Sequence, residues 1–252
     1  MSQVVFALLL SAFAGLSTTL GSAIAWLVPR PGPAFMALTL GFSAGVMIYI
    51  SFVELLAAGL EEIGFLWGQL AFFVGFGVML TMDLLIPHSY QSETDPGISL
   101  KDAKLLRTGL FVALGIAIHN FPEGLATFAA ALSSRQLGIA IALTVAIHNI
   151  PEGIAVSAPV YAATGSRSKA FMWSFLSGLS EPLGAAMAGL VLLPFLSPAL
   201  LGALLALVAG FMVFIALDEL LPASRTFGRE HLTILGVVLG MIVMAASLAL
   251  LT

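Results

Sequence analysis

Apolar residues run through this chain in stretches of about 20 or more, broken by short polar or proline-bearing links, and stretches of that length can cross a bilayer as helices. The spans fall at 3–27, 33–60, 66–88, 105–131, 137–162, 168–193, 199–221 and 231–251. The links carry the breakers: Pro29-Arg30-Pro31-Gly32-Pro33, the polar stretch from Pro87 to Asp102, Ser133-Ser134, Thr164-Gly165-Ser166, Pro194 to Pro198, and Pro222 to Arg229. No segment alternates polar and apolar over the ~10 residues of a membrane-barrel strand. The pattern predicts an all-α integral membrane protein with eight transmembrane helices, a single domain over 1–252 with a short loop at 89–104.

Composition agrees and narrows the class. Hydrophobic residues make up 60% of the 252 positions and charged residues 9%, with a mean hydropathy of +1.10. A soluble domain carries roughly 25% charged residues, so this chain cannot cover a surface facing water. A net charge of -4 argues against nucleic acid as a partner, and the absence of cysteine removes disulfides and thiolate ligands. The first apolar run is long for a signal peptide and lacks a convincing cleavage site, so it reads as a retained first helix.

The few cations set an orientation. Arg30, Lys101, Lys104, Arg107, Arg167, Lys169, Arg225 and Arg229 fall in links on one side of the membrane, and Arg135 stands alone on the other. By the positive-inside rule the crowded side is cytosolic, including the loop 89–104, and both termini face the extracytoplasmic side of the cell (inner) membrane.

The chain also repeats. Ser11 to Gly21 in the first span aligns with Ser174 to Gly184 in the sixth, an offset of 163. Ala44-Gly45-Val46-Met47, leading to Glu54, aligns with Ala209-Gly210-Phe211-Met212, leading to Glu219, an offset of 165. The third and eighth spans share only a faint glycine and methionine pattern. Spans one and six cross in opposite directions, as do two and seven, so the expected architecture is a 3+2+3 inverted-repeat helical bundle. Such bundles hold their site near the midplane, at the repeat interface.

Between the repeats, one hexapeptide is written twice: His119-Asn120-Phe121-Pro122-Glu123-Gly124 and His148-Asn149-Ile150-Pro151-Glu152-Gly153. Residues four apart on a helix are rotated by only about 40°, so His119 shares a face with Glu123 and His148 with Glu152, with the asparagines one step round. A lone intramembrane histidine is commonly an interhelical hydrogen bond. Two buried copies of His and Glu on opposed helices need a stronger partner, and a divalent metal ion is the simplest. Imidazole nitrogen with carboxylate and amide oxygen suits zinc, iron, manganese, cobalt or cadmium. Pro122 and Pro151 withhold their helical donors from the carbonyls of Ile118 and Ile147, so a kink is expected beside the ligands. Gly124 and Gly153 would let neighbouring helices approach closely.

Glu181, in Ser180-Glu181-Pro182, stands where the repeat has Thr18; it reads as a third carboxylate for a cation or as an acid bonded to serine. Met47 offers a thioether, although methionine more commonly packs a core. Glu54, Asp83, Asp218 and Glu219 near helix ends read as acids that attract ions at the two mouths or as solvated interfacial groups. His88 and His231 read as interfacial. An intramembrane zinc hydrolase would need His-Glu-x-x-His, which the chain lacks, so an enzyme is not expected; a metal-selective channel is the alternative to a carrier.

With its paired His-Asn-x-Pro-Glu-Gly motifs on successive helices, the chain resembles the ZIP (Zrt/Irt-like protein) metal transporters, and in length and span count their ZupT-like bacterial branch. The resemblance implies a metal site built from His119, Asn120 and Glu123, His148, Asn149 and Glu152, with Glu181 and Met47. It implies uptake of Zn2+, and also of Fe2+, Mn2+, Co2+ or Cd2+, as cargo rather than prosthetic group. The expected partners are the ion, the lipid bilayer and, as one possible assembly, a second copy in a homodimer. Two features depart from some relatives: no histidine-rich tract stands between the third and fourth spans, and Asn149 replaces an acid.

Overall fold

The computed structural model describes residues 2–27, 32–85, 100–133, 135–192 and 197–251. These residues are helical almost throughout, with no strand among them, and form eight continuous helices. α1 is Gln3–Trp26, α2 Pro33–Ile63, α3 Phe65–Leu85, α4 Leu100–Ser133 and α5 Arg135–Thr164. α6 covers 167–192, α7 is Pro198–Arg225 and α8 Glu230–Leu251. Their bounds follow the apolar spans within a few residues. The part of the expected loop 89–104 that is described, from Leu100, is already the first turn of α4. His88 and Arg30 lie outside the described residues.

Seven of the eight helices are long and apolar enough to cross a membrane. The exception is α6, whose Arg167, Lys169 and Glu181 dilute its hydropathy. The link chemistry explains the reversals. Gly64, Gly165 and Gly228 take φ of 79°, 64° and 66°, a left-handed backbone that suits glycine after a helix. Ser166 caps α6 by accepting from the Lys169 amide (3.3 Å), and Ser197 caps α7 by accepting from that of Leu200 (3.1 Å). One breaker is overruled: α7 runs through Pro222 to Arg225. A π-helical stretch, Ile215–Leu220, precedes it, so Pro222 falls in the first turn of the new α segment, where no amide donor is required. α2 has a matching π-helical stretch, Ser51–Leu56, and Glu54 and Glu219 occupy equivalent places in the two.

Four parallel helix pairs build the bundle, each by the same device. In α1–α5, a Cβ at Gly21 would strike the Ile150 carbonyl, and one at Gly153 the carbonyl of Thr18. The pair α4–α6 repeats this with Gly184 on Phe121 and Gly124 on Glu181. Gly45 on Val237 and Gly240 on Phe42 join α2 to α8, while Gly210 on Phe72 and Gly75 on Leu207 join α3 to α7. Such reciprocal glycine–carbonyl contacts let backbones pack at Cα–H···O distance, the means by which helices associate where water supplies no driving force. The offset of 165 therefore extends to α3 and α8, where sequence similarity had faded: Phe72 answers Val237 and Gly75 answers Gly240. α1 crosses α6 at the pseudo-twofold point, with Gly15 and Gly178 each resting on the other's carbonyl.

The pairs assemble into two groups. α1, α4, α5 and α6 pack on one another, and α2, α3, α7 and α8 do likewise. Between the groups, α2 meets α5 and α4 meets α7. The largest apolar cluster fills that seam, with Met47, Met212 and Ile215 from one group against Val112, Ile116, Ala155 and Val156 of the other.

Candidate metal site

α4 and α5 lie side by side, and both run unbroken through their prolines. This brings the two hexapeptides together at mid-bundle beside α6. Asn120, Asn149, Glu152 and Glu181 have no exposed surface, and Glu123 is 2% exposed. The backbones of His119 and His148 belong to the same helices; their side chains lie outside the described residues.

The two asparagines are used differently. Both amide hydrogens of Asn149 are committed, since its Nδ2 donates to Glu181 Oε2 (2.8 Å) and to the Ala14 carbonyl of α1 (2.9 Å). Its Oδ1, the other oxygen of Glu181 and both amide atoms of Asn120 find no partner among the described residues. Glu123 and Glu152 both lie close enough to act on the charge of Glu181. The oxygens of these three acids do not all come within 4.8 Å of one another, as those of a closed carboxylate cluster would. A buried polar atom without a partner is costly. This donor set of acid and amide oxygens, with imidazoles on the same two helices, has the chemistry of a first-row divalent cation site.

The prolines and glycines of the motif hold it in place. Ser43 of α2 donates to the Pro151 carbonyl (2.8 Å), tying one helix group to the other beside Glu152. Met47 stands one turn further along α2, fully buried on the face between Ser43 and Ile50. Gly124 and Gly153 serve the close approach expected of them, to α6 and α1. Neither Ser43 nor the Ala14 carbonyl is legible in the sequence, because a serine among small residues and a backbone oxygen carry no pattern.

A cleft of about 100 Å3 reaches the site from the end of the bundle opposite Arg167 and Arg225; it is lined by Ile50, Glu54 and Ala58 of α2, Glu123 and Ala126 of α4, and Thr144 of α5. Glu54 is exposed at its mouth. At the other end, Asp83, Asp218 and Glu219 gather, each with one oxygen within 4.8 Å of the others. Asp83 is not a solvated interfacial acid: its Oδ1 accepts from the Arg107 guanidinium at 3.0 Å. Glu219 accepts from the Thr108 hydroxyl. His231 is exposed at the start of α8.

Residues 85–248 match the family described as ZIP Zinc transporter. This chain belongs to the ZIP family. Among curated relatives, the zinc transporter ZupT of Streptococcus mutans is 48% identical over 99% of both chains. That of Chlorobium phaeovibrioides is 52% identical over 97% of both, and that of Chlorobium luteolum 50% over the whole of each. The likeness thus covers all eight helices, and ZIP proteins are transporters, not enzymes.

Proposed function

We propose that this ZIP protein is a secondary transporter that brings divalent transition-metal ions, zinc foremost, into the cytosol by alternating access. The relatives' printed names favour zinc. The observation that carries the reading is the convergence of Asn120, Glu123, Asn149, Glu152 and Glu181, all at most 2% exposed, within an otherwise apolar bundle. The ion is held by His119, Asn120 and Glu123 of α4 and His148 and Glu152 of α5. Glu181 completes the charge balance, Asn149 its placement, and Met47 adds a soft donor from α2. Three carboxylates and two neutral imidazoles offset a dication held in an apolar interior. The ion enters by the cleft at Glu54 and leaves past Glu219.

The whole chain is one transporter domain of eight crossings, α6 included. Its Ser174, Ser177 and Glu181 are buried in the packing against α1 and α4, so it crosses shielded by neighbours. The eight cations at one end put both termini outside the cell membrane.

The test is uptake of Zn2+, Fe2+, Mn2+, Co2+ and Cd2+ into proteoliposomes. Glu123→Ala and Glu152→Ala each reduce Zn2+ uptake by about 100-fold or more, the scale expected when a ligand or its orienting partner is lost. Uptake at the parent rate in both variants overturns the reading.

A further inference from the structure

The inverted repeat pairs every residue of the open cleft with one at the other end of the molecule, and there the same positions are shut. The offset of 165 carries Glu54 to Glu219 and Ala58 to Ala223; the offset of 29 between the hexapeptides carries Ala126 to Ala155 and Thr144 to Gly115. Ala126 lines the cleft, whereas Ala155 has no exposed surface and sits in the apolar cluster between the helix groups. The side chain of Ile215 fills the space beside Gly115. Among the described residues, the cleft is open at one end and its counterpart positions are closed at the other.

Polar ties span the seam where it is closed. Arg107 of α4 reaches Asp83 of α3 at 3.0 Å, and Thr108 bonds Glu219 of α7, so both join the first helix group to the second. Asp218, exposed on the same π-helical stretch as Glu219, completes a cluster of three acids to which Arg107 is bonded through Asp83. The open end lacks this device. Its equivalents of Arg107, Asp83 and Asp218 are Gln136, Leu248 and Val53, which leaves Glu54 as the acid there. The repeat is broken where one mouth is fastened and the other is not.

We propose that Arg107 is the latch of the cytosolic gate, fastened through Asp83 to the acid cluster of the opposing helix group while the other end is open, and that its release accompanies opening to the cytosol. The proposal rests on the transporter reading for its direction, but its physics is local. With the guanidinium gone, the seam loses its ion pair and Asp83 is left beside two like-charged acids of its own helix group, so the closed arrangement loses stability relative to the open one. Arg107 acts on the ion's path through the helices it joins and touches none of the proposed ligands.

Because the chain contains no cysteine, single cysteines report the state directly. Ala126→Cys and Ala155→Cys are each placed in the parent, Arg107→Gln, Arg107→Lys and Asp83→Asn backgrounds and treated, without metal, with a membrane-impermeant thiol reagent from either face. Arg107→Gln raises labelling of the cysteine at 155 from the Arg107 face by roughly fivefold or more, the span of ordinary couplings between conformational states, and lowers labelling at 126. Asp83→Asn moves both rates the same way by less, and Arg107→Lys leaves both within about twofold of the parent, since the pair survives. Labelling at 155 unchanged by Arg107→Gln overturns the proposal. So does a rise at 126 and 155 together, which signals a loosened fold. No ion enters this measurement, so failure of the metal site, read by uptake in Glu123→Ala, is distinguishable from failure of the latch.

Discussion

At the scale of single residues, the doubled hexapeptide is symmetric in sequence and asymmetric in use. Asn149 spends its amide hydrogens on Glu181 and Ala14, while Asn120 keeps both amide atoms without a partner among the described residues. The cause lies outside the motif: α6 carries Glu181 beside Asn149, and the equivalent place in α1 holds Thr18, which cannot accept as a carboxylate does. Asn149 therefore positions an acid and Asn120 is the freer donor. Asn149→Ala leaves Glu181 Oε2 buried without its donor, while the Ala14 carbonyl keeps the Ser17 hydroxyl, and costs about 1–3 kcal/mol of stability. A thermal melt in detergent checks this against Asn120→Ala, which removes no hydrogen bond among described groups and is expected to melt close to the parent.

Among elements, the decisive contact is glycine against carbonyl. Leucine-rich faces cannot choose partners in lipid, where every helix offers the same apolar surface, but a missing Cβ lets one backbone lie on another. This makes the glycines of the motif structural, within the same short segment as the proposed ligands. Gly124→Val drives a side chain into the Glu181 carbonyl and should destabilise by about 1–3 kcal/mol or more, displacing α6 with its acid. Gly77 of α3 has open space where its Cβ would be, so Gly77→Ala is neutral or gains up to about 1 kcal/mol from helix propensity. Melting temperatures of the two variants separate the cases. Equal losses would show that glycine content, rather than these contacts, governs stability.

For the whole molecule, the proposed eight crossings give the two ends of the chain a shared side, and the proposed orientation, read from the cations, puts that side outside. A phosphatase active only beyond the cytoplasm, fused in turn to either terminus, is expected to be active in both positions. Activity at neither would reverse the orientation and turn the proposed importer round. The same scale accounts for the polar composition of α6: Arg167 and Lys169 are exposed at its start, while Glu181 is buried where the helix packs on α1 and α4.

Much of this protein was legible before any coordinates. Helix number, most bounds, the repeat in α1/α6 and α2/α7, and the doubled hexapeptide all follow from hydropathy and spacing, because a bilayer obliges each crossing to be long, apolar and internally hydrogen-bonded. Folding alone settled who faces whom: the α3/α8 half of the repeat, the bond from Asn149 to Glu181, the tie from Ser43 to Pro151, and the pairing of Arg107 with Asp83 beside two acids of α7. Those contacts depend on which backbone approaches which, and missing side chains and carbonyl oxygens leave no periodic trace along a chain.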